Sequence, residues 1–348
     1  MNNNKTPTPR DAERARRAAR DKKRARRIAA LLLTVLILAV WGLIVYFWLS
    51  VFHTPSPPAP ESTAAITETA APETTELPPS ETESVALSAD QIHRGELILV
   101  STLLSRPYVF PKDESDLILL YGNKNGNYRI SSSSLKLHKD AAEAFGEMMN
   151  AYHAETGNRD YQITQAYRTK DEQTEIYDSY LETYGAEQGA LLAAAPGYSE
   201  HHSGYAVDLN VFTEKGVSYS LGSAKDENPI YEWIYTHAAE YGFVLRYPAG
   251  KTAITGITNE PWHFRYVGRG HAAYMTENDL VLEEYIALLY NYPADGEHLR
   301  FTADGVSYEV FYLASTGDTT EAQLPKDGSY TVSGDNDSGF IITLYRKP

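Results

Sequence analysis

Two short segments carry residues whose types and spacing could do hydrolytic chemistry. The first is Ser199-Glu200-His201-His202-Ser203-Gly204-Tyr205-Ala206-Val207-Asp208, and the second is Glu260-Pro261-Trp262-His263-Phe264-Arg265-Tyr266. Two imidazoles and a carboxylate, from His201, Asp208 and His263, make the N/O ligand set a catalytic zinc (Zn2+) uses while a fourth position stays open to water. The chain has no cysteine, which excludes disulfides, thiol nucleophiles and thiolate zinc sites, so any metal must sit on imidazole and carboxylate. Zinc lowers the pKa of a bound water towards about 7, and a carboxylate beside it can take the proton as hydroxide attacks a carbonyl. Glu260 is the natural general base for that zinc-hydroxide attack. The oxyanion then needs a fixed cation besides the metal. Arg168, in Ala166-Tyr167-Arg168-Thr169, is the preferred candidate, and Arg265 is its competitor.

Elements must hold these groups together. After Gly204 the sequence alternates, so that Ala206, Asp208 and Asn210 share one face of a strand while Tyr205, Val207 and Leu209 take the other. Asp208 can then face a cleft while its neighbours pack inside. Gly204 permits the backbone turn that brings His201 round to it. Pro261 sets Glu260 and His263 in a turn, with the Glu260 carboxylate beside the metal but not on it. Upstream, Leu97 to Val100 is a β-prone run, and residues 139–155 read as an amphipathic helix through Ala142, Phe145, Met149 and Tyr152. Tyr161 to Ala166 alternates as a strand. Thr169 is the expected N-cap of a helix carrying Ile176, Tyr180 and Tyr184, with Asp171 and Glu172 in its dipole-favoured first turn. Further helices are expected from about Pro229 to Tyr241 and Glu277 to Tyr290, with a strand from Phe243 to Arg246 between them. Strands and helices mix without βαβ regularity, which argues an α+β fold: a small mixed or antiparallel sheet with flanking helices around the zinc site. Beyond about residue 296, Leu299–Thr302, Val306–Leu313, Ser329–Val332 and Phe340–Tyr345 read as strands of a small all-β appendage.

The pattern SxHxxGxAxD followed by ExxH, with Tyr167-Arg168 and Gln173 upstream, resembles the zinc D-alanyl-D-alanine carboxypeptidases of VanY type (peptidase family M15B), which also include L,D-carboxypeptidases. The resemblance covers roughly residues 91 to 270, and Ser199, His201, Gly204, Ala206, Asp208, Glu260, Trp262 and His263 all stand at the family's spacing. It implies zinc on His201, Asp208 and His263, Glu260 as general base, and Arg168 stabilising the transition state. It also implies that Tyr167, Gln173 and Ser199 contact the substrate's terminal dipeptide, with Trp262 as a further substrate-binding residue. Position 202 is a second histidine where another polar residue is common, and the SxH spacing favours His201 as the ligand. Ala166 stands where glycine is common, and His271 reads as non-ligating.

Charge and composition organise the rest of the 348 residues, whose formal net charge is −15. Residues 1–27 hold eleven Lys/Arg against three acids, whereas the remainder holds 20 basic and 43 acidic residues. A body this acidic would repel phosphate backbones, so no nucleic-acid partner is expected. From Ile28 to Phe52 no residue is charged. As a helix that stretch would span about 37 Å, more than the roughly 30 Å of a hydrocarbon core. It ends in Trp, Tyr and Phe rather than a small-residue cleavage site, so an uncleaved anchor is expected, with the basic arm in the cytoplasm and the catalytic part outside the cell. Residues 53–88, rich in Pro, Thr and Glu, read as a disordered tether, leaving 89–295 as the zinc carboxypeptidase domain and 296–348 as the β-rich appendage.

The function expected is a membrane-anchored zinc D,D-carboxypeptidase that removes the terminal D-alanine from peptidoglycan stem peptides. Its partners would be those peptides and the membrane, through one helix; the oligomeric state stays open. L,D-carboxypeptidase or endopeptidase action on stem peptides is the near alternative. A non-catalytic wall-binding protein with a structural metal is the distant one, disfavoured by Glu260 and by a ligand set of three where structural zinc takes four.

Overall fold

The computed structural model describes residues 81–346. Strand β1 (Thr82–Ser88) is followed by β2 (Leu117–Leu119), β3 (Arg129–Ile130) and β4 (Lys136–His138), and then directly by helix α1 (Lys139–Thr156). Next come β5 (Tyr161–Gln165), helices α2 (Lys170–Tyr184) and α3 (Ala186–Leu192), and strands β6 (Ala206–Phe212) and β7 (Ser218–Ser220). Short helices α4 (Leu221–Glu227) and α5 (Trp233–His237) lead to β8 (Phe243–Leu245), α6 (Thr252–Thr255), β9 (His263–Tyr266), α7 (Arg269–Glu277) and α8 (Leu282–Leu289). Five strands complete the fold: β10 (Leu299–Ala303), β11 (Val306–Ala314), β12 (Thr319–Pro325), β13 (Tyr330–Gly334) and β14 (Gly339–Arg346).

The main sheet runs β3-β5-β6-β9-β8, with β7 also paired to β6. Only β3 and β5 pair in parallel; the other ladders are antiparallel, which gives the mixed sheet of an α+β fold. Along β6 the alternation holds: Val207, Leu209 and Val211 are fully buried, while Asp208 and Asn210 stay partly accessible. The buried face packs on α1, whose Phe145, Met149 and Tyr152 meet Tyr161, Ile163, Leu209 and Phe243 in one apolar cluster. Truncating a ring such as Phe145 to alanine would cost about 3–5 kcal/mol. Helix α1 ends on Gly157 in the left-handed region at φ 72°, where glycine carries no Cβ penalty.

Thr169 caps α2 as expected, with its hydroxyl accepting from the Glu172 amide in a reciprocal capping box. The helix lies on the surface, with only Gln173 buried. Other expectations need correction. Leu97 to Val100 is a buried run but not a strand. Its amides turn instead to the β13–β14 corner, Leu97 donating to Ser333 Oγ and Leu99 to the Asp335 carbonyl. The helix expected over 277–290 forms only from Leu282, as α8, after a turn through Asp279 at φ 50°, and a separate helix, α7, precedes it over Arg269–Glu277. The stretch 229–241 alternates 3₁₀ and α turns.

The tether expected over 53–88 is too long at its C-terminal end. Thr82–Ser88 pairs along its whole length with β12, which the sequence reading left out, in register from Thr82↔Pro325 to Ser88↔Thr319. Val85 and Leu87 pack against Phe311, Leu324, Phe340 and Ile342, and this burial offsets the ordering of a Ser/Thr/Glu-rich segment. Strands β10-β11-β14-β13 form the expected C-terminal sheet. Its Val310 and Ile341 share an apolar cluster with Leu97, Val244, Ala272 and Leu282, so it is packed into the fold rather than appended to it. The basic arm, the apolar segment 28–52 and the tether before residue 81 lie outside the described residues, among which no helix is long and apolar enough to cross a membrane.

Candidate active site

Three neighbouring strands set the site. Asp208 on β6 pairs with His263 on β9, and Gln165 at the end of β5 pairs with Asp208 after a register shift. Arg168 therefore emerges just past β5, on the edge where Asp208 and His263 meet. His201 comes from a 3₁₀ turn, Glu200–Ser203, that Ser199 opens and Gly204 closes. Gly204 sits at φ 74°, and a Cβ there would lie 2.5 Å from Leu117 Cδ2 and 3.0 Å from the His138 amide, so glycine is required on two counts.

The His201 Nδ1 lies 2.7 Å from the Ala166 carbonyl, which can only accept. That fixes the proton on Nδ1 and leaves Nε2 bare, 3.4 Å from Asp208 Oδ2. The His263 Nδ1 is 3.1 Å from Asp208 Oδ1 and 3.5 Å from Glu260 Oε2. One donor atom from each of His201, Asp208 and His263 falls within 4.8 Å of the others, and Asp208 Oδ1 is buried without a hydrogen bond. Two neutral-capable imidazoles and one carboxylate with an orphaned oxygen fit a zinc ion.

The electrostatics agree with that fit. Burial alone would raise Asp208, yet the two imidazoles hold its pKa well below the usual carboxylate range. Burial lowers His201 to about 4, and the Arg168 charge adds to the effect. His263 lies between the Asp208 and Glu200 carboxylates, which overcome its burial and push its pKa up to about 9. Burial pushes Glu260 up to about 7, with the Asp208 and Glu200 charges adding and His263 and Arg168 opposing. Two carboxylates, Asp208 and Glu260, thus converge on His263 Nδ1, an arrangement suited to a divalent cation.

The cleft above these groups is lined by Arg168, Gln173, Ser199, His201, Asp208, Glu260, Trp262 and His263, with Ile176, Tyr180, Leu192 and Ile257 as its apolar wall. Arg168 Nη2 lies 4.0 Å from Asp208 Oδ2, while its Nη1 donates to Gln173 Oε1 at 2.5 Å. Gln173 in turn donates to the Ala194 carbonyl at 2.7 Å. Both ends of the Gln173 amide are thus engaged within the protein, and its visible work is to hold Arg168.

The structure separates four other residues from the cleft. Tyr167, expected to contact substrate, turns away: its hydroxyl donates to Glu114 Oε1 at 2.6 Å and it does not line the cleft, because strand-end alternation sends neighbouring side chains to opposite sides. Arg265 is fully buried and donates to the Glu96, Ile98 and Tyr266 carbonyls, which leaves Arg168 as the guanidinium of the two that lines the cleft. His202 is buried with Nδ1 on the Arg168 carbonyl and Nε2 accepting from the Gly197 amide. His271, as expected, stands away from the cleft, between Tyr285 and Thr343. Two residues that the sequence reading passed over also bear on the site. Tyr247 lines the cleft with its ring 4.9 Å from that of His263, and Glu200, also among the lining residues, brings Oε2 to 3.6 Å from His263 Nε2. A buried acid lodged between Ser199 and His201 was the available signal for the second.

A family model described as VanY, D-alanyl-D-alanine carboxypeptidase, matches residues 134–269. The chain is 33% identical over 266 residues to a D-alanyl-D-alanine carboxypeptidase of Enterococcus faecium, covering 76% of this chain and 80% of that protein. It is 32% identical over 156 residues to a bifunctional D-Ala-D-Ala dipeptidase and D-Ala-D-Ala carboxypeptidase, VanXYC, of Enterococcus gallinarum, covering 45% of this chain and 80% of that one. Among solved structures, the vancomycin resistance D,D-dipeptidase VanXYg in complex with a D-Ala-D-Ala phosphinate analog matches with a TM-score of 0.66 at 29% identity, covering 76% of this chain and 99% of that chain. The matched region includes Arg168, His201, Asp208, Glu260 and His263, and the chain belongs to the VanY-type D-alanyl-D-alanine carboxypeptidase family, as a zinc metallopeptidase of that family.

Proposed function

We propose that the protein removes the terminal D-alanine from peptidoglycan stem peptides, with zinc held by His201, Asp208 and His263. The observation that carries the reading is the meeting, in one cleft, of three ligand atoms within 4.8 Å, the Glu260 carboxylate 3.5 Å from His263 Nδ1, and a buried arginine 4.0 Å from Asp208. When bound, zinc supplies Lewis-acid polarisation of the scissile carbonyl and activation of water at neutral pH.

The side chains do the rest. Glu260, with its pKa pushed to about 7 by burial, takes a proton from the attacking water on its carboxylate and returns it to the leaving amine. Arg168, held by Gln173, presents a guanidinium to the cleft for the developing oxyanion or the substrate carboxylate. Ser199 and Trp262 line the same cleft and are assigned to the terminal dipeptide.

The uncharged segment 28–52 and the eleven basic residues before it support an anchor with the N-terminus in the cytoplasm and the catalytic part outside, tethered by the Pro/Thr/Glu-rich segment. The deciding experiment is mass spectrometry of synthetic muramyl pentapeptide and tetrapeptide incubated with the zinc-loaded full-length chain, beside a chelated control. Loss of one alanine from the pentapeptide is the expected result. Trimming of the tetrapeptide alone moves the protein to L,D-carboxypeptidase action, and cleavage of neither rejects a carboxypeptidase.

A further inference from the structure

Behind His263 lies a buried set of charges that no step above uses. Glu200 and Arg246 are each 1% exposed and Arg265 is fully buried. Arg246 donates from Nε to Glu200 Oε1 at 2.7 Å and from both Nη atoms to the Glu283 carboxylate, also at 2.7 Å. Arg265 Nη1 lies 3.0 Å from the same Glu200 Oε1. Two guanidiniums thus hold one oxygen of Glu200. The other oxygen, Oε2, is buried with no hydrogen bond and faces His263 Nε2, equally without a partner, at 3.6 Å. The backbone converges on the same residue, since the Arg246 amide donates to the His263 carbonyl at 3.1 Å.

Two orphaned buried atoms that face one another, one a carboxylate oxygen and the other an imidazole nitrogen, are complementary only if the nitrogen carries the proton. We infer that Glu200 is a positioning residue for His263: its Oε2 accepts the Nε2 proton, fixing the tautomer whose bare Nδ1 points at Asp208 and Glu260. Arg246 and Arg265 fix the carboxylate that does this. A ring oriented by one carboxylate and ligating with its other nitrogen is the usual way an outer carboxylate tunes a histidine ligand. The inference rests on the proposed zinc site and goes beyond it, because it assigns a role to a residue outside the three ligands.

The test uses the full-length chain with histidine labelled in ¹⁵N, the His263 signals being assigned by their loss in His263→Ala. With zinc added to the wild type, Nε2 of His263 is expected to keep its proton while Nδ1 shifts on binding. A bare Nε2, or zinc on Nε2, overturns the inference without any mutation of the buried network. Glu200→Gln is expected to weaken zinc binding roughly 10- to 100-fold in competition with a chelator. Glu283→Gln, which loosens Arg246 without facing His263, is expected to lower the melting temperature and to weaken zinc binding less than Glu200→Gln does, because Arg265 still holds Glu200 Oε1. A folded Glu200→Gln with wild-type zinc affinity overturns the inference while leaving the metal site standing. Wild-type zinc affinity in Asp208→Ala takes down the metal site itself and this inference with it.

Discussion

Asp208 and His263 are direct partners across the antiparallel β6–β9 ladder, and their side chains meet with Oδ1 3.1 Å from Nδ1. Directly opposed residues on one face carry their Cβ atoms about 5 Å apart, so a cross-strand pair delivers two converging ligands from backbone geometry alone. A slip of one residue in this ladder would turn Asp208 into the core. The site is therefore only as exact as the register, which Val207, Leu209 and Val211 fix by being fully buried on the opposite face.

Removing the metal should abolish hydrolysis and lower stability together. Chelation is expected to eliminate D-alanine release, and added zinc to restore it. Because a ligand bound only to the folded state stabilises it by about 4 kcal/mol at a thousand times its Kd, the melting temperature should rise with zinc in the wild type and not in Asp208→Ala. Calorimetric scans with and without zinc on both proteins check this. An equal rise in the variant would place the metal elsewhere.

Glu260→Gln should separate chemistry from metal binding. The carboxylate lines the cleft 3.5 Å from His263 Nδ1 but is outside the group of three converging ligand atoms. The variant is expected to keep its zinc while kcat falls roughly 100-fold or more, the usual loss for a general base. Steady-state kinetics alongside metal analysis test it, and near-normal turnover would move the base to another residue.

Arg168 is expected to tolerate no simple exchange of charge. One Nη holds Gln173 at 2.5 Å while the other points to Asp208 at 4.0 Å, a division of labour that a single ammonium cannot reproduce. Arg168→Lys should lower kcat/KM by roughly 100-fold, in the range seen when one donor to an oxyanion is lost. Gln173→Ala, which leaves the guanidinium in place but untied, should cost less. The reverse order would mean that Gln173 itself touches the substrate.

The residues of the site were legible because their chemistry and their periodicity coincide: Asp208 is the polar member of an otherwise buried alternation, and Gly204 and Pro261 mark the turns on either side. Glu200 and Arg246 were not, because a charged residue reads as surface unless its partner is known, and theirs come from β9 and α8. Strand β1 escaped for a related reason. Its composition continues that of the tether before it, and what makes it a strand is β12, more than two hundred residues away. The exclusion of Tyr167 from the cleft likewise depends on Glu114, in a loop with no periodicity to read.

His271 should make the fold acid-labile. It joins α7 to the C-terminal sheet, with Nδ1 on the Tyr285 hydroxyl at 2.8 Å and Nε2 on Thr343 Oγ1 at 3.0 Å, and burial lowers its pKa from 6.5 to about 3. Above about pH 6.5 both folded and unfolded chains hold it neutral and its contribution is intact. As the pH falls from there towards 3 the unfolded chain takes up a proton that the folded one refuses, so stability is lost across that window. At about 1.4 kcal/mol per unit the loss amounts to roughly 4 kcal/mol by pH 3. Buried His201, lowered to about 4, acts in the same direction in zinc-free protein, so the comparison must be with a variant rather than with a theoretical line. Denaturant unfolding of zinc-free wild type and His271→Gln at pH 7, 5.5 and 4 should show a shallower acid slope in the variant. Parallel slopes would mean that the proton enters elsewhere and that the junction between α7 and the C-terminal sheet does not govern acid unfolding.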